Sequence, residues 1–232
     1  MNLAIFDIDG TLTNTNHIDA QCYVRAVHAE FQVDVTGLNW ADYTFVTDIG
    51  ITSQMFQGRF GRDPSDEEIA RLQRRLVAFL EEAFAATPDA FAEIAGATAA
   101  LAWLRQHPDW TIAIATGCWR ASAQMKLRSA GIATTDIPAA FCEDGHSREE
   151  VVQTAHSRAL TQTRLEAFDR VVSIGDGIWD ITTAKRLALP FVGIGADDGS
   201  ALQRRGATHV IRDLSDLSLL LRCLEEAGIP GP

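Results

Sequence analysis

Two aspartates stand one residue apart near the amino terminus, in Asn2-Leu3-Ala4-Ile5-Phe6-Asp7-Ile8-Asp9-Gly10-Thr11. Carboxylates this close raise each other's pKa unless a cation lies between them, and a bound divalent metal is the natural remedy. Oxygen-only ligands favour magnesium, which keeps several waters and usually shares its shell with a substrate phosphate. The plainer alternative is that Asp7 and Asp9 are loop acids capping the next segment. A second acidic pair, Asp176 and Asp180, is spaced four apart at a helix start, so both side chains can face the same way. Acids also favour helix amino termini for reasons unconnected with metals.

These residues need a scaffold that brings them together. Leu3 to Phe6 is a continuous apolar run, which suits a strand buried on both faces in a parallel sheet. Gly10 permits an abrupt exit, so Asp7 and Asp9 should stand at the carboxyl end of that strand, where open α/β sheets hold ligands. Similar buried strands are expected at residues 111–115, 138–142, 170–174 and 191–194, with a weaker one at 208–211. Helices are expected between them at 97–106, 120–130, from Ser147 onward, 181–187 and 214–227, and residues 228–232 should fray. Strand-helix alternation predicts an α/β fold with a doubly wound, Rossmann-like parallel sheet.

Residues 15–88 break the alternation. Helical spacing appears at 17–33 and at 52–60, and Ser65 with Glu68 forms a capping-box start for a helix through Leu72, Leu76 and Leu80 to about residue 84. The expected organisation is a core of residues 1–14 and 89–232 with an all-helical domain, 15–88, inserted after the first strand. Hinges are expected near 13–15 and 87–89. His17, Asp19, Trp40 and Arg59 of the insertion read as surface or packing residues, and Trp119 and Trp179 as packing beneath it.

Asp7-Ile8-Asp9-Gly10-Thr11 resembles the first signature of the haloacid dehalogenase superfamily, and strand ends at Thr116, before Arg148 and at Asp176 resemble its three later motifs. The helical insertion resembles the cap of its phosphoglycolate phosphatase-like branch. The resemblance implies Asp7 as nucleophile and Asp9 as general acid and base. It also implies phosphate binding by Gly10, Thr11, Thr116, Gly117 and Arg148, and a Mg2+ site of Asp7, Asp9, Asp176 and Asp180, with Asp9 contributing its backbone oxygen. Asp176 should ligate directly, and Asp180 directly or through water. The implied activity is hydrolysis of a small phosphorylated metabolite through an aspartyl-phosphate. A sugar phosphomutase or a non-catalytic binding protein on the same fold are the alternatives. The superfamily's dehalogenases lack the second aspartate, so Asp9 argues against dehalogenation. A Schiff-base reaction on a cap lysine is disfavoured because no lysine occurs before Lys126.

The family pattern usually has a lysine where this chain has Arg148. Lys126 and Lys185 are the two lysines, and Lys126 lies ten residues past Thr116 along a helix. At about 1.5 Å of rise per residue it should be carried away from the strand ends, leaving Arg148 as the site's cation. A net charge of −11 argues against nucleic-acid binding. Four scattered cysteines read as reduced, mostly buried thiols. No apolar run is long enough for a bilayer, so no membrane partner and a cytoplasmic location are expected.

Overall fold

Asn2–Phe6 form strand β1, and Leu3, Ala4, Ile5 and Phe6 are all buried, as the unbroken apolar run requires. The computed structural model describes residues 1–37, 39–195 and 200–231. In it β1 lies between β2 (Trp110–Ala115) and β4 (Val171–Gly175). β3 (Ala139–Ala140) lies outside β2, and β5 (Phe191–Ile194) and β6 (His209–Ile211) lie beyond β4. The six-stranded sheet is parallel, in the order β3-β2-β1-β4-β5-β6. Its register sets Phe6 beside both Ile114 and Ile174. Asp7, Thr116 and Asp176 therefore leave the sheet along one edge, next to the strand where the winding reverses. Such switch points open the crevice in which α/β sheets bind ligands.

The helices are α1 (Asn16–Phe31), α2 (Asp48–Phe60), α3 (Asp66–Ala86), α4 (Ala97–Gln106), α5 (Arg120–Ser129), α6 (Arg148–Thr163), α7 (Ile178–Arg186), α8 (Ser200–Arg204) and α9 (Leu217–Glu226). On one face of the sheet Phe6, Ile112 and Ile174 pack with Leu101 and Leu104 of α4 and Leu220 and Leu224 of α9. On the other, Leu3, Ile5 and Ala113 pack with Val151, Ala155 and Ala159 of α6. Among the described residues no strand element lies between β1 and β2. There α1, α2 and α3 bury Val27, Phe56, Leu72, Leu76 and Leu80 in a cluster of their own. That cluster also takes in Trp119, just before α5, and Met125 within it, so the helical block shares apolar surface with α5.

Local chemistry accounts for where elements start and stop. Ser65 Oγ accepts from the Glu68 amide at 3.3 Å and Glu68 accepts from the Ser65 amide at 2.8 Å, the capping box expected for α3. α2 starts at Asp48, four residues before the expected 52, because Thr47 Oγ1 caps it by accepting from the Gly50 amide. α9 starts at Leu217 rather than 214, since Asp216 accepts from the Leu219 amide while Leu214 is spent in the core. α7 starts three residues before the expected 181, which puts Asp180 inside its first turn. The strand expected at 138–142 is two residues long and passes into a 3-10 turn, Cys142–Asp144.

The carboxyl end is tied down rather than frayed. The Phe191 amide donates to Gly228, the Gly231 amide donates to Gly206, and Pro230 is buried. Pro232 lies outside the described residues. The two linkers of the helical block pair with each other: the Asn14 amide donates to Ala92, and the Ile94 amide donates to Leu12. This crossing at 92–94 lies beyond the hinge expected at 87–89, which falls at the start of the 3-10 turn Pro88–Phe91.

Candidate active site

Asp7 follows β1 directly, and carboxylate oxygens of Asp7, Asp176 and Asp180 lie within 4.8 Å of one another. Arg148, in the first turn of α6, sends its Nη2 to Asp7 Oδ1 at 3.1 Å and to Asp180 Oδ1 at 2.5 Å. Asp180 Oδ2 accepts from the Gly177 amide at 2.9 Å, and Asp176 Oδ2 accepts from Asn16 Nδ2 at 2.5 Å. Asp176 Oδ1 is buried without a partner among the described residues. Three carboxylates facing one guanidinium are short of positive charge. Burial and the neighbouring Asp180 hold Asp7 well above the usual carboxylate range, with Arg148 opposing. The same two causes push Asp176 up to about 7. Gly10 lies at φ 73, and a Cβ there would stand 2.1 Å from Asp176 Oδ2, so only glycine lets the loop pass the acids.

Asp9 points elsewhere. Its Oδ1 accepts from Thr15 Oγ1 at 2.5 Å, and its Oδ2 accepts from Lys126 Nζ at 2.7 Å and Cys118 Sγ at 3.1 Å. Lys126 also donates to Asp19 Oδ1 of α1 at 2.7 Å. Burial works against ionising Asp9, but the Lys126 charge and the three hydrogen bonds outweigh it and hold the carboxyl below its ordinary value. Lys126 is 0% exposed, and its two aspartates raise its pKa despite burial. The side-chain carboxylate of Asp9 is therefore absent from the acidic cluster.

The expectation that Lys126 is carried away from the strand ends is wrong. Helical side chains lean back toward the amino terminus, and a lysine stem spans more than a helical turn. α5 also packs under the helical block, so its inward face looks back at Asp9. A signal was present: Lys126 shares the inward stripe of α5 with Ala123 and Leu127, both buried. A cation on an apolar stripe must find a buried anion.

Of the residues expected at a phosphate, Thr116, Gly117 and Arg148 line a cavity of about 450 Å³ together with Asp7 and Asp9. A Cβ on Gly117 would meet Arg148 Nη1 at 2.7 Å, so the bare backbone makes room for the guanidinium. Gly10 and Thr11 do not take part in this way. The Gly10 amide donates to Thr13, the Thr11 amide donates to Ile8, and the Thr11 hydroxyl, outside the cavity lining, is buried without a partner among the described residues. The amides of Ile8 and Asp9, which sequence reasoning passed over, donate to no described acceptor.

His17, Asp19 and Trp40, expected as surface or packing residues, line the cavity, as does Trp179; Arg59 is exposed and does not. Trp119 packs in the interior, as expected. Thr13 and Thr15, expected as a polar hinge, are fully buried and bonded to each other and to Ile8 or Asp9. Asp19, Asp48 and Cys118 form a second close group. Lys126 already lies on its Cys118 and Asp19, so that group has its cation built in.

A family profile described as haloacid dehalogenase-like hydrolase matches residues 1–187. The chain belongs to the haloacid dehalogenase-like hydrolases. No curated protein matches it. A hydrolase from Pseudomonas syringae is similar in structure, with a TM-score of 0.72 and 23% identity over 98% of this chain and 100% of that one. CbbY from Rhodobacter sphaeroides, in complex with phosphate, has a TM-score of 0.65 and 18% identity, covering 96% and 98%. β-Phosphoglucomutase from Clostridium difficile has a TM-score of 0.67 and 16% identity, covering 97% of each. At these identities the likenesses show the fold. Among the described residues of this hydrolase, no helix is long and apolar enough to cross a membrane.

Proposed function

We propose that this haloacid dehalogenase-like hydrolase is a magnesium-dependent phosphatase that cleaves a small phosphate monoester through an aspartyl-phosphate on Asp7, with residues 15–88 acting as an inserted cap over a core of 1–14 and 89–232. The observation that carries the reading is the convergence of Asp7, Asp176 and Asp180 at one sheet edge, beside Thr116 and Arg148. The donor set suits magnesium: it is all oxygen, it is short of positive charge, and Asp176 Oδ1 is buried with no partner among the described residues. Asp7, Asp176 and Asp180 would hold the ion, with the Asp9 backbone carbonyl. When bound, magnesium supplies charge neutralisation for the acids and the transferred oxygens.

The chain's own groups divide the work. Asp7 attacks phosphorus and the ester P–O bond breaks, giving an acyl phosphate; water then attacks the same phosphorus and frees Asp7. Asp9 protonates the departing oxygen and later takes a proton from the water. In the arrangement seen here both Asp9 oxygens are engaged by Thr15, Lys126 and Cys118 and the carboxyl is held ionised, so acting on a leaving group requires it to turn from Lys126 and take up the proton it then gives. Thr15 and Asp19 belong to the helical block and its linker, which couples that turn to the block's position. Arg148 and the free amides of Ile8 and Asp9 are suited to the oxygens of the transferred group. The phosphate held by the CbbY structure supports a phosphate-sized site on this fold.

The test is phosphate release from a panel of phosphate esters, with and without magnesium. Release that depends on magnesium and is not restored by calcium is expected. Calcium takes more ligands in looser geometry and would let Asp7 bind with both oxygens. Full activity in excess chelator, or no release from any ester, overturns the proposal. Isomerised sugar phosphate in place of free phosphate would make the enzyme a mutase.

A further inference from the structure

The cavity has two chemically different ends. Asp7, Thr116, Gly117 and Arg148, with Trp179 beside the guanidinium, form one, and the helical block contributes a wall of His17, Asp19, Tyr23, Trp40, Asp48 and Ile51. Arg148 is the one lysine or arginine among the described lining residues, and its Nη2 is committed to Asp7 and Asp180. Lys126 lies behind the wall with its ammonium shared by Asp9 and Asp19. Asp9 and Asp19 thus share one ammonium, and Asp48 makes no ion pair with a described residue.

Two carboxylate oxygens on this wall are uncommitted. Asp48 is 8% exposed; its Oδ2 accepts from the Trp119 amide at 2.9 Å, while its Oδ1 takes no hydrogen bond from a described residue. Asp19 Oδ1 faces Lys126, and its Oδ2 likewise takes none. Beside them Tyr23 and Trp40 meet edge to face with centroids 5.6 Å apart. Burial and the nearby Asp19 push Asp48 up to about 8, with Lys126 opposing, so a cation docked beside it would draw the proton off the carboxyl. Carboxylate oxygens and aromatic rings on one wall are the recognition chemistry of an ammonium group. A carboxylate or second phosphate would meet Asp19 and Asp48 there, with the His17 imidazole as the one basic side chain besides Arg148 among the described lining residues.

Resting on the hydrolase reading above, we propose that this wall selects phosphate monoesters whose leaving group carries a protonated amine. The amine takes no part in bond making or breaking; it docks between Asp19, Asp48 and the rings while phosphorus sits at Asp7.

The experiment compares phosphate release from 3-aminopropyl, propyl and 2-carboxyethyl phosphate by the full chain with magnesium. The expected kcat/KM is highest for the aminopropyl ester, about tenfold above propyl, and lowest for carboxyethyl. Asp48→Asn, which keeps an acceptor oxygen for the Trp119 amide, and Asp19→Asn should each reduce the aminopropyl-to-propyl ratio by about tenfold. Propyl or carboxyethyl phosphate matching the aminopropyl ester overturns the proposal, as does an unchanged ratio in both variants. The order on the unaltered chain decides it even where a variant does not fold. Silence on all three and on p-nitrophenyl phosphate removes the hydrolase reading and this inference together. Release in the wrong order removes this inference alone.

Discussion

Asp7 and Asp9 are the same residue two positions apart, both nearly buried, and their surroundings drive them in opposite directions. Asp7 stands with two further carboxylates and one guanidinium, and is held up. Asp9 stands against a fully buried ammonium with two further donors, and is held down. Burial acts alike on both, so the difference comes from the local balance of charge. On the Asp9 side the cation is part of the chain and permanent. On the Asp7 side it is incomplete, which leaves a place for a metal and for the charge of a transferring phosphoryl group.

Removing the Asp7 carboxylate should have the largest effect. Asp7→Asn is expected to cut turnover by about 10⁴-fold or more and to abolish the acyl phosphate, read by trapping phosphate on the protein. An acyl phosphate in that variant would assign the nucleophile elsewhere.

Asp9→Asn should cost about 10²- to 10⁴-fold with alkyl phosphates. It should cost much less with p-nitrophenyl phosphate, whose leaving group needs no proton. Equal losses on both would remove Asp9 from proton transfer.

The two cations should separate along the same line. Arg148→Ala is expected to lower kcat/KM by about 10²- to 10³-fold, with Arg148→Lys recovering part because the fork is lost. Lys126→Met strands Asp9 and Asp19 as buried charges, a loss of about 3–5 kcal/mol. In a chain of this size that is a melting-temperature drop of about 6–20 °C. Pairing it with Asp19→Asn should restore part of the stability. An Arg148 variant that melts early yet turns over normally, with the reverse for Lys126, would exchange the two roles.

A pH dependence is expected on the insertion side. Asp48 has a folded value of about 8 against an unfolded one near 3.8. The folded chain therefore binds the extra proton, and this contribution to stability is full below about pH 4 and lost as pH rises through about 8. Asp48→Asn should flatten that part of the melting curve against pH. A wild-type melting temperature that rises across this window would contradict it.

The backbone frame could be read along the chain because each piece of evidence was local. The apolar run before Asp7, the runs ending at Thr116 and Gly175, and the capping boxes at Ser65 and Ser147 depend on neighbours within a few residues. Strand ends in a parallel sheet then share an edge by geometry, so Asp7, Thr116, Arg148, Asp176 and Asp180 came together without knowledge of their contacts. The chain by itself determined the sheet, the acidic cluster and Arg148. Tertiary packing decided what Asp9, Asp19, Asp48 and Lys126 do, because their partners lie on α1, α2 and α5, elements whose relative placement no local pattern encodes. It likewise withdrew the Gly10 and Thr11 amides into the turn and fastened the residues after α9 to the sheet. Periodicity shows which face of a helix is buried; which charge waits on the other side is set only when the helices pack.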